Sequence, residues 1–144
     1  MTSNRMQGFY PGMMRLLNGC KENLVTSNHF RRGTEGFPPF LGRGNGLDDF
    51  YGVLHVSGDN NLISNNVFAY DVPPARVLPP NAQPTIILIA AGDANVAALN
   101  HVITNVPAQH VVLDASTTHS KVMDSGPAST ITSYSLDTAI RPTP

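Results

Sequence analysis

Three segments of this chain share a spacing that few folds can use. They are Asn23-Leu-Val-Thr-Ser-Asn28-His-Phe30, Asn61-Leu-Ile-Ser-Asn-Asn66-Val-Phe68 and Asn95-Val-Ala-Ala-Leu-Asn100-His-Val102. Each opens on an asparagine followed by an aliphatic residue. A second asparagine comes five positions after the first, and an apolar residue two positions after that. His119-Ser-Lys-Val-Met-Asp124 reads as a degenerate fourth copy that opens on His119. A short apolar run precedes each copy, at Met13–Leu17, Tyr51–Val56, Thr85–Ala90 and His110–Leu113. The first three are joined to their copies by Asn18-Gly19, Gly58-Asp59-Asn60 and Gly92-Asp93-Ala94. Gly and Asn tolerate the positive φ that tight turns need.

A repeating unit of roughly 20–45 residues that cannot bury its own apolar face must stack on its neighbours. Short strands without intervening helices then predict an all-β chain, a parallel β-helix or solenoid. In such a stack Leu24, Leu62 and Val96 are expected to form one interior ladder and Phe30, Phe68 and Val102 another. Asn28, Asn66 and Asn100 should stack at a corner, each amide satisfying its neighbour and the bent backbone. These asparagines read as scaffold. Residues 1–125 form the coils, with Gly- and Pro-rich insertions at 31–49 and 71–84. Val72, Val77 and Leu78 in the second are expected to find no room inside the filled coil and to need a partner surface, the loop folding back on its own coil being the other reading. Residues 126–144 lose the pattern and read as a tail or cap. No capping helix precedes the first repeat, so the chain reads as the C-terminal coils of a longer solenoid.

Composition narrows the function. Charged residues are 13% of the chain, Lys and Arg number 9, and the net charge is −1. That leaves no basic field for nucleic acid. The apolar run Thr85–Ala91 is too short to span a bilayer, and no signal-peptide order is expected from the first residues. A lone Cys20 excludes a disulfide framework and a cysteine zinc site. It aligns with Gly58 and Gly92 and reads as a small residue in a tight turn. His29 and His101 share a repeat position with Val67, which reads as an outward packing site, so no metal is expected. Asp59, Asp93 and Glu22 read as turn residues.

The first insertion differs. It gathers Glu35, Arg43, Asp48 and Asp49 with Arg31, Arg32 and Phe37, Phe40 and Phe50 beside it. Carboxylates, guanidiniums and aromatic faces are what a sugar cleft uses. Glycosyl transfer needs one acid to protonate the leaving oxygen and one carboxylate as base or nucleophile. A solvated loop with local ion pairs is the other reading of the same residues.

Long irregular runs add a resemblance. Asn4-Arg-Met-Gln-Gly-Phe-Tyr-Pro-Gly12, Gly19-Cys-Lys-Glu-Asn23, Ser27-Asn-His-Phe-Arg-Arg32, Gly42-Arg-Gly-Asn-Gly-Leu-Asp48 and His110-Val-Val-Leu-Asp-Ala-Ser-Thr-Thr-His-Ser-Lys121 closely resemble the C-terminal third of bacterial inulin fructotransferases. So does the ending Asp137-Thr-Ala-Ile-Arg-Pro-Thr-Pro144. The resemblance implies right-handed parallel β-helices assembled as a secreted homotrimer. It implies a lyase without cofactor that cleaves a terminal difructosyl unit from inulin and closes it into a difructose dianhydride. It places the catalytic acid pair on earlier coils, so the catalytic residues remain unknown here. Glu35, Arg43, Asp48 and Asp49 are substrate-binding candidates. Two other readings stand beside it. One is a non-catalytic carbohydrate-binding or structural β-helix. The other is a pectin-lyase-like enzyme, which the scarcity of Lys and Arg and the absence of an Asp-rich calcium loop disfavour.

Overall fold

A computed structural model describes residues 1–8, 12–33, 52–74, 83–123 and 130–131. Among them every regular element is a strand. The chain begins with β1 (Arg5–Gly8). One coil follows as β2 (Met14–Leu16), β3 (Leu24–Thr26) and β4 (His29–Gly33). The next is β5 (Leu54–Val56), β6 (Leu62–Ser64) and β7 (Val67–Asp71). The third is β8 (Thr85–Ile89), β9 (Gly92–Asp93), β10 (Val96–Ala98) and β11 (His101–Thr104). Then come β12 (Gln109–Leu113), β13 (Thr117–Thr118) and β14 (Lys121–Met123), and finally β15 (Thr130–Ile131).

Each strand pairs in parallel with its equivalents one coil away. The first face is the sheet β15-β12-β8-β5-β2, the second β14-β10-β6-β3 and the third β1-β4-β7-β11. β9 and β13 pair on the turn between the first two faces. This is a parallel β-helix, as the repeat requires. β15 lies in the segment read as a tail, where Thr130 and Ile131 pair with Val112 and Leu113.

Side chains alternate along an extended strand, so every second residue enters the interior. On the third face Met6, Phe30, Phe68 and Val102 are in register. Phe30 and Phe68 are fully buried and stack with centroids 4.7 Å apart and planes 5° apart. On the first face Leu16, Val56, Ile89 and Leu113 form one column, beside Leu54, Ile87 and Val111. On the second face the interior column is Val25, Ile63, Ala97 and Val122. Leu24, Leu62 and Val96 therefore do not form an interior ladder, and Leu24 is 54% exposed. The reason is the asparagine before each of them. Asn61 and Asn95 turn their amides inward and are buried, so the next residue must face out.

Two asparagine columns hold the corners. The Asn4 backbone N–H and Nδ2 donate to Asn28 Oδ1 at 3.0 and 3.1 Å. Asn28 donates in the same way to Asn66 Oδ1 at 2.9 and 3.0 Å, and Asn66 to Asn100 Oδ1 at 3.1 and 3.0 Å. In the second column Asn23 donates to Asn61 Oδ1 and Asn61 to Asn95 Oδ1. The Asn95 N–H then donates to Ser120 Oγ at 3.1 Å. The fourth copy thus opens on Ser120, one residue after His119. The other amide proton is spent on a bent carbonyl: Asn66 Nδ2 donates to Val25 O and Asn100 Nδ2 to Ile63 O.

All non-glycine residues with positive φ among the described ones stand directly before a member of these columns. They are Ser3, Glu22, Ser27, Asn60, Asn65, Ala94, Leu99 and His119, with φ between 49° and 56°. A left-handed residue reverses the chain sharply. The following asparagine then repairs the ladder bonds that the corner interrupts.

Candidate functional site

The insertions share an origin. Coils without one span 24 and 25 residues between equivalent ladder positions, whereas the two that carry one span 38 and 34. Both leave the end of the third face on adjacent coils. Gly33, the last residue of β4, is in register with Asp71, the last of β7. Arg31 and Asp71 belong to those strands and not to the inserted loops.

The strand ends carry the polar groups that frame this exit. Arg32 points inward and is fully buried. Its Nη1 donates to Gly33 O at 2.5 Å, and its guanidinium carbon stands 6.0 Å from the centroid of the buried Tyr70 ring. A buried guanidinium is tolerated only where its charge and donors are matched. The backbone carbonyl and the ring face supply part of that match. Outside, Arg31 Nη2 lies 3.9 Å from Asp71 Oδ2, and both side chains are substantially exposed. On the next coil the Val72 N–H donates to Asn105 Oδ1 at 2.9 Å, and Asn105 Nδ2 donates back to Val72 O at 2.7 Å. Val72 itself is buried in the core. That corrects the expectation that its side chain has no place inside the coil and needs a partner surface.

Glu35, Arg43, Asp48 and Asp49 lie outside the described residues, as do Val77 and Leu78. What is described is the frame from which their segments depart.

Three carboxylates elsewhere are held low. Hydrogen bonds from Lys21 and from the Asp93 backbone keep the Asp59 carboxyl below its ordinary value. The Thr118 hydroxyl and then the His119 ring do the same for Asp93. The Ser116 hydroxyl and N–H do so for Asp114, which forms a local turn. A general acid must keep its proton near the working pH. None of these three carboxyls suits that task. Asp59 and Asp93 are turn residues, in keeping with their place in the repeat. His29, Val67 and His101 are in register on the outer side of the third face.

Cys20, Gly58 and Gly92 stack at the tight turn. A Cβ on Gly58 would meet Cys20 O at 2.0 Å, and one on Gly92 would meet Gly58 O at 2.1 Å. Sequence reasoning missed Asn4 as a ladder member and the pairing of Arg32 with Tyr70. Asn4-Arg-Met6 repeats the second half of the motif, as in Asn28-His-Phe30, and could have revealed the first. No periodic signal marks the second.

A parallel β-helix with asparagine corners, from one face of which two insertions depart, is a repeat solenoid. A family profile described as the β-helix repeat of inulin fructotransferase matches residues 27–144. The chain belongs to that family. It is 38% identical over its whole length to the DFA-I-forming inulin fructotransferase of Arthrobacter globiformis, of which it covers 35%. Among solved structures, the DFA-IIIase of Arthrobacter chlorophenolicus A6 in complex with GF2 superposes with a TM-score of 0.82 at 38% identity. That match covers 100% of this chain and 36% of the other. The same enzyme in complex with DFA-III gives a TM-score of 0.81 at 34% identity, covering 99% and 38%. The chain therefore spans about a third of the length of these relatives.

Proposed function

We propose that the chain is part of a fructan-degrading fructotransferase that releases a terminal difructosyl unit of inulin as a difructose dianhydride. The observation that carries this reading is the 38% identity to an inulin fructotransferase along the whole chain. In the proposed reaction a carboxylic acid gives its proton to the departing glycosidic oxygen as the bond to the anomeric carbon breaks. A hydroxyl of the neighbouring fructose attacks that carbon, and its proton passes to a carboxylate base. One C–O bond is lost, one is formed and no water is consumed. Holding the hydroxyl against the carbon contributes up to roughly 7–11 kcal/mol in ideal cases.

The acid pair belongs to coils outside this chain. Asp59, Asp93 and Asp114, whose carboxyls are lowered, are not fitted to be its proton donor. Glu35, Arg43, Asp48 and Asp49 contribute to the substrate cleft, on the insertion that leaves β4. The whole protein is secreted and works as a homotrimer, as the family resemblance implies.

The solved relatives favour a second reading, since they are named for DFA-III. On that reading the whole protein acts on a difructose anhydride and not on inulin. Incubation of a longer protein carrying this sequence with inulin, and separately with DFA-III, distinguishes the two by chromatography. Dianhydride released from inulin supports the first. Intact inulin with consumed DFA-III supports the second. The 144-residue chain alone is expected to leave inulin unchanged, and turnover by it would overturn the placement of the acid pair.

A further inference from the structure

The outer turn between the first and second faces carries a column of charges that the proposed reaction does not use. Lys21 and Asp59 are bridged in parallel, and β9 and β13 place Asp93 against Thr118. Lys21 Nζ lies 3.1 Å from Asp59 Oδ2. Asp59 Oδ1 accepts the Asp93 backbone N–H at 3.1 Å. Asp93 Oδ1 in turn accepts the Thr118 hydroxyl at 2.7 Å and faces His119 Nδ1 at 2.7 Å. The side chains thus link four successive coils along the solenoid axis, outside the asparagine columns.

We propose that the column Lys21–Asp59–Asp93–His119 is an acid-released latch that holds the coil of β12–β14 onto the coil before it. The second asparagine column weakens at this step. Ser120 stands where the earlier coils have asparagine, and a single bond, from the Asn95 N–H to Ser120 Oγ, replaces the amide pair. Asp93 bridges the same step from outside through both Thr118 and His119. The charged groups facing it are Asp59 on the preceding coil, offset by Lys21, and His119 on the following one. Neutralising Asp93 leaves both the His119 ring and Thr118 on a weaker acceptor.

The direction with pH follows. The carboxyls of Asp59 and Asp93 are held below their ordinary value near 3.8. The unfolded coil therefore takes up protons more readily than the folded one. The stability they lend is fully present above that value and is lost as the pH falls through the lowered one.

Amide hydrogen exchange, corrected for the intrinsic pH dependence, tests the latch. As the pH falls below the ordinary carboxylate value near 3.8, protection at 117–123 is expected to fall roughly fivefold before protection at 62–68 changes. Asp93→Asn keeps the shape and loses the charge. It should start at the reduced protection at neutral pH and show no further selective loss in acid. Parallel loss at both segments in the wild-type chain would overturn the proposal, as would an Asp93→Asn profile identical to wild type. Should the variant not fold, the wild-type series alone decides.

Discussion

At the residue scale the fold rests on a dipeptide, a left-handed residue followed by an amide. The amide can hardly be replaced, because it both accepts from the coil before and donates to a bent carbonyl. The left-handed residue is free to vary, and the chain fills it with Ser, Glu, Asn, Ala, Leu and His. Leu99 is the least suited of these. It has φ 54° and is 55% exposed, so it bears the left-handed cost without burial in return. Leu99→Asn copies Asn65, the equivalent residue one coil earlier. It is expected to stabilise the chain by about 0.5–1 kcal/mol, seen as a higher thermal or urea midpoint. An unchanged or lower midpoint would show that Leu99 is held by something other than the corner geometry. The asparagines themselves were legible because amide chemistry admits few substitutes. Ser120 escaped notice because a hydroxyl supplies an acceptor without the amide donor, and the repeat was aligned one residue early.

At the scale of the element, strands were placed to within a few residues by apolar runs and turn residues. Which side of each strand enters the core was harder to read. Leu24 and Val25 are both aliphatic, so hydrophobicity cannot choose between them; the inward amide of the preceding corner does. The glycine turn was legible in identity but not in tightness. Gly92 has φ 94°, and a Cβ there would meet Gly58 O at 2.1 Å. Gly92→Ala is therefore expected to destabilise by at least about 2 kcal/mol. Gly19, with the same φ and open space around it, is the control: Gly19→Ala bears the backbone cost without the collision. Equal losses at the two positions in urea unfolding would remove the steric part of the argument. The substrate candidates Glu35, Arg43, Asp48 and Asp49 could not be placed relative to one another from sequence. A Gly- and Pro-rich insertion has no periodicity, so no register ties residue number to position.

For the whole molecule, one coil supports the next and each face repeats. The apolar stretch 71–84 was expected to seek a partner surface, but Val72 is already packed in the core. Val72 is thereby removed from the proposed trimer contact, which is left to Val77 and Leu78 or to the tail 126–144. Light scattering on a longer protein carrying this sequence is expected to give three copies, and a monomer at micromolar concentration would remove the assembly from the proposal. A trimer that survives Val77→Ser with Leu78→Ser would exclude that loop from the contact.

The exits at Gly33 and Asp71 have a consequence for how such a chain can change over generations. The amide columns count ladder positions and are indifferent to how many residues intervene, which is why coils of 25 and 38 residues stack in one register. Length can be gained or lost at these two doorways without renegotiating the scaffold. Selection can thus revise what the protein recognises while the architecture beneath it stays fixed.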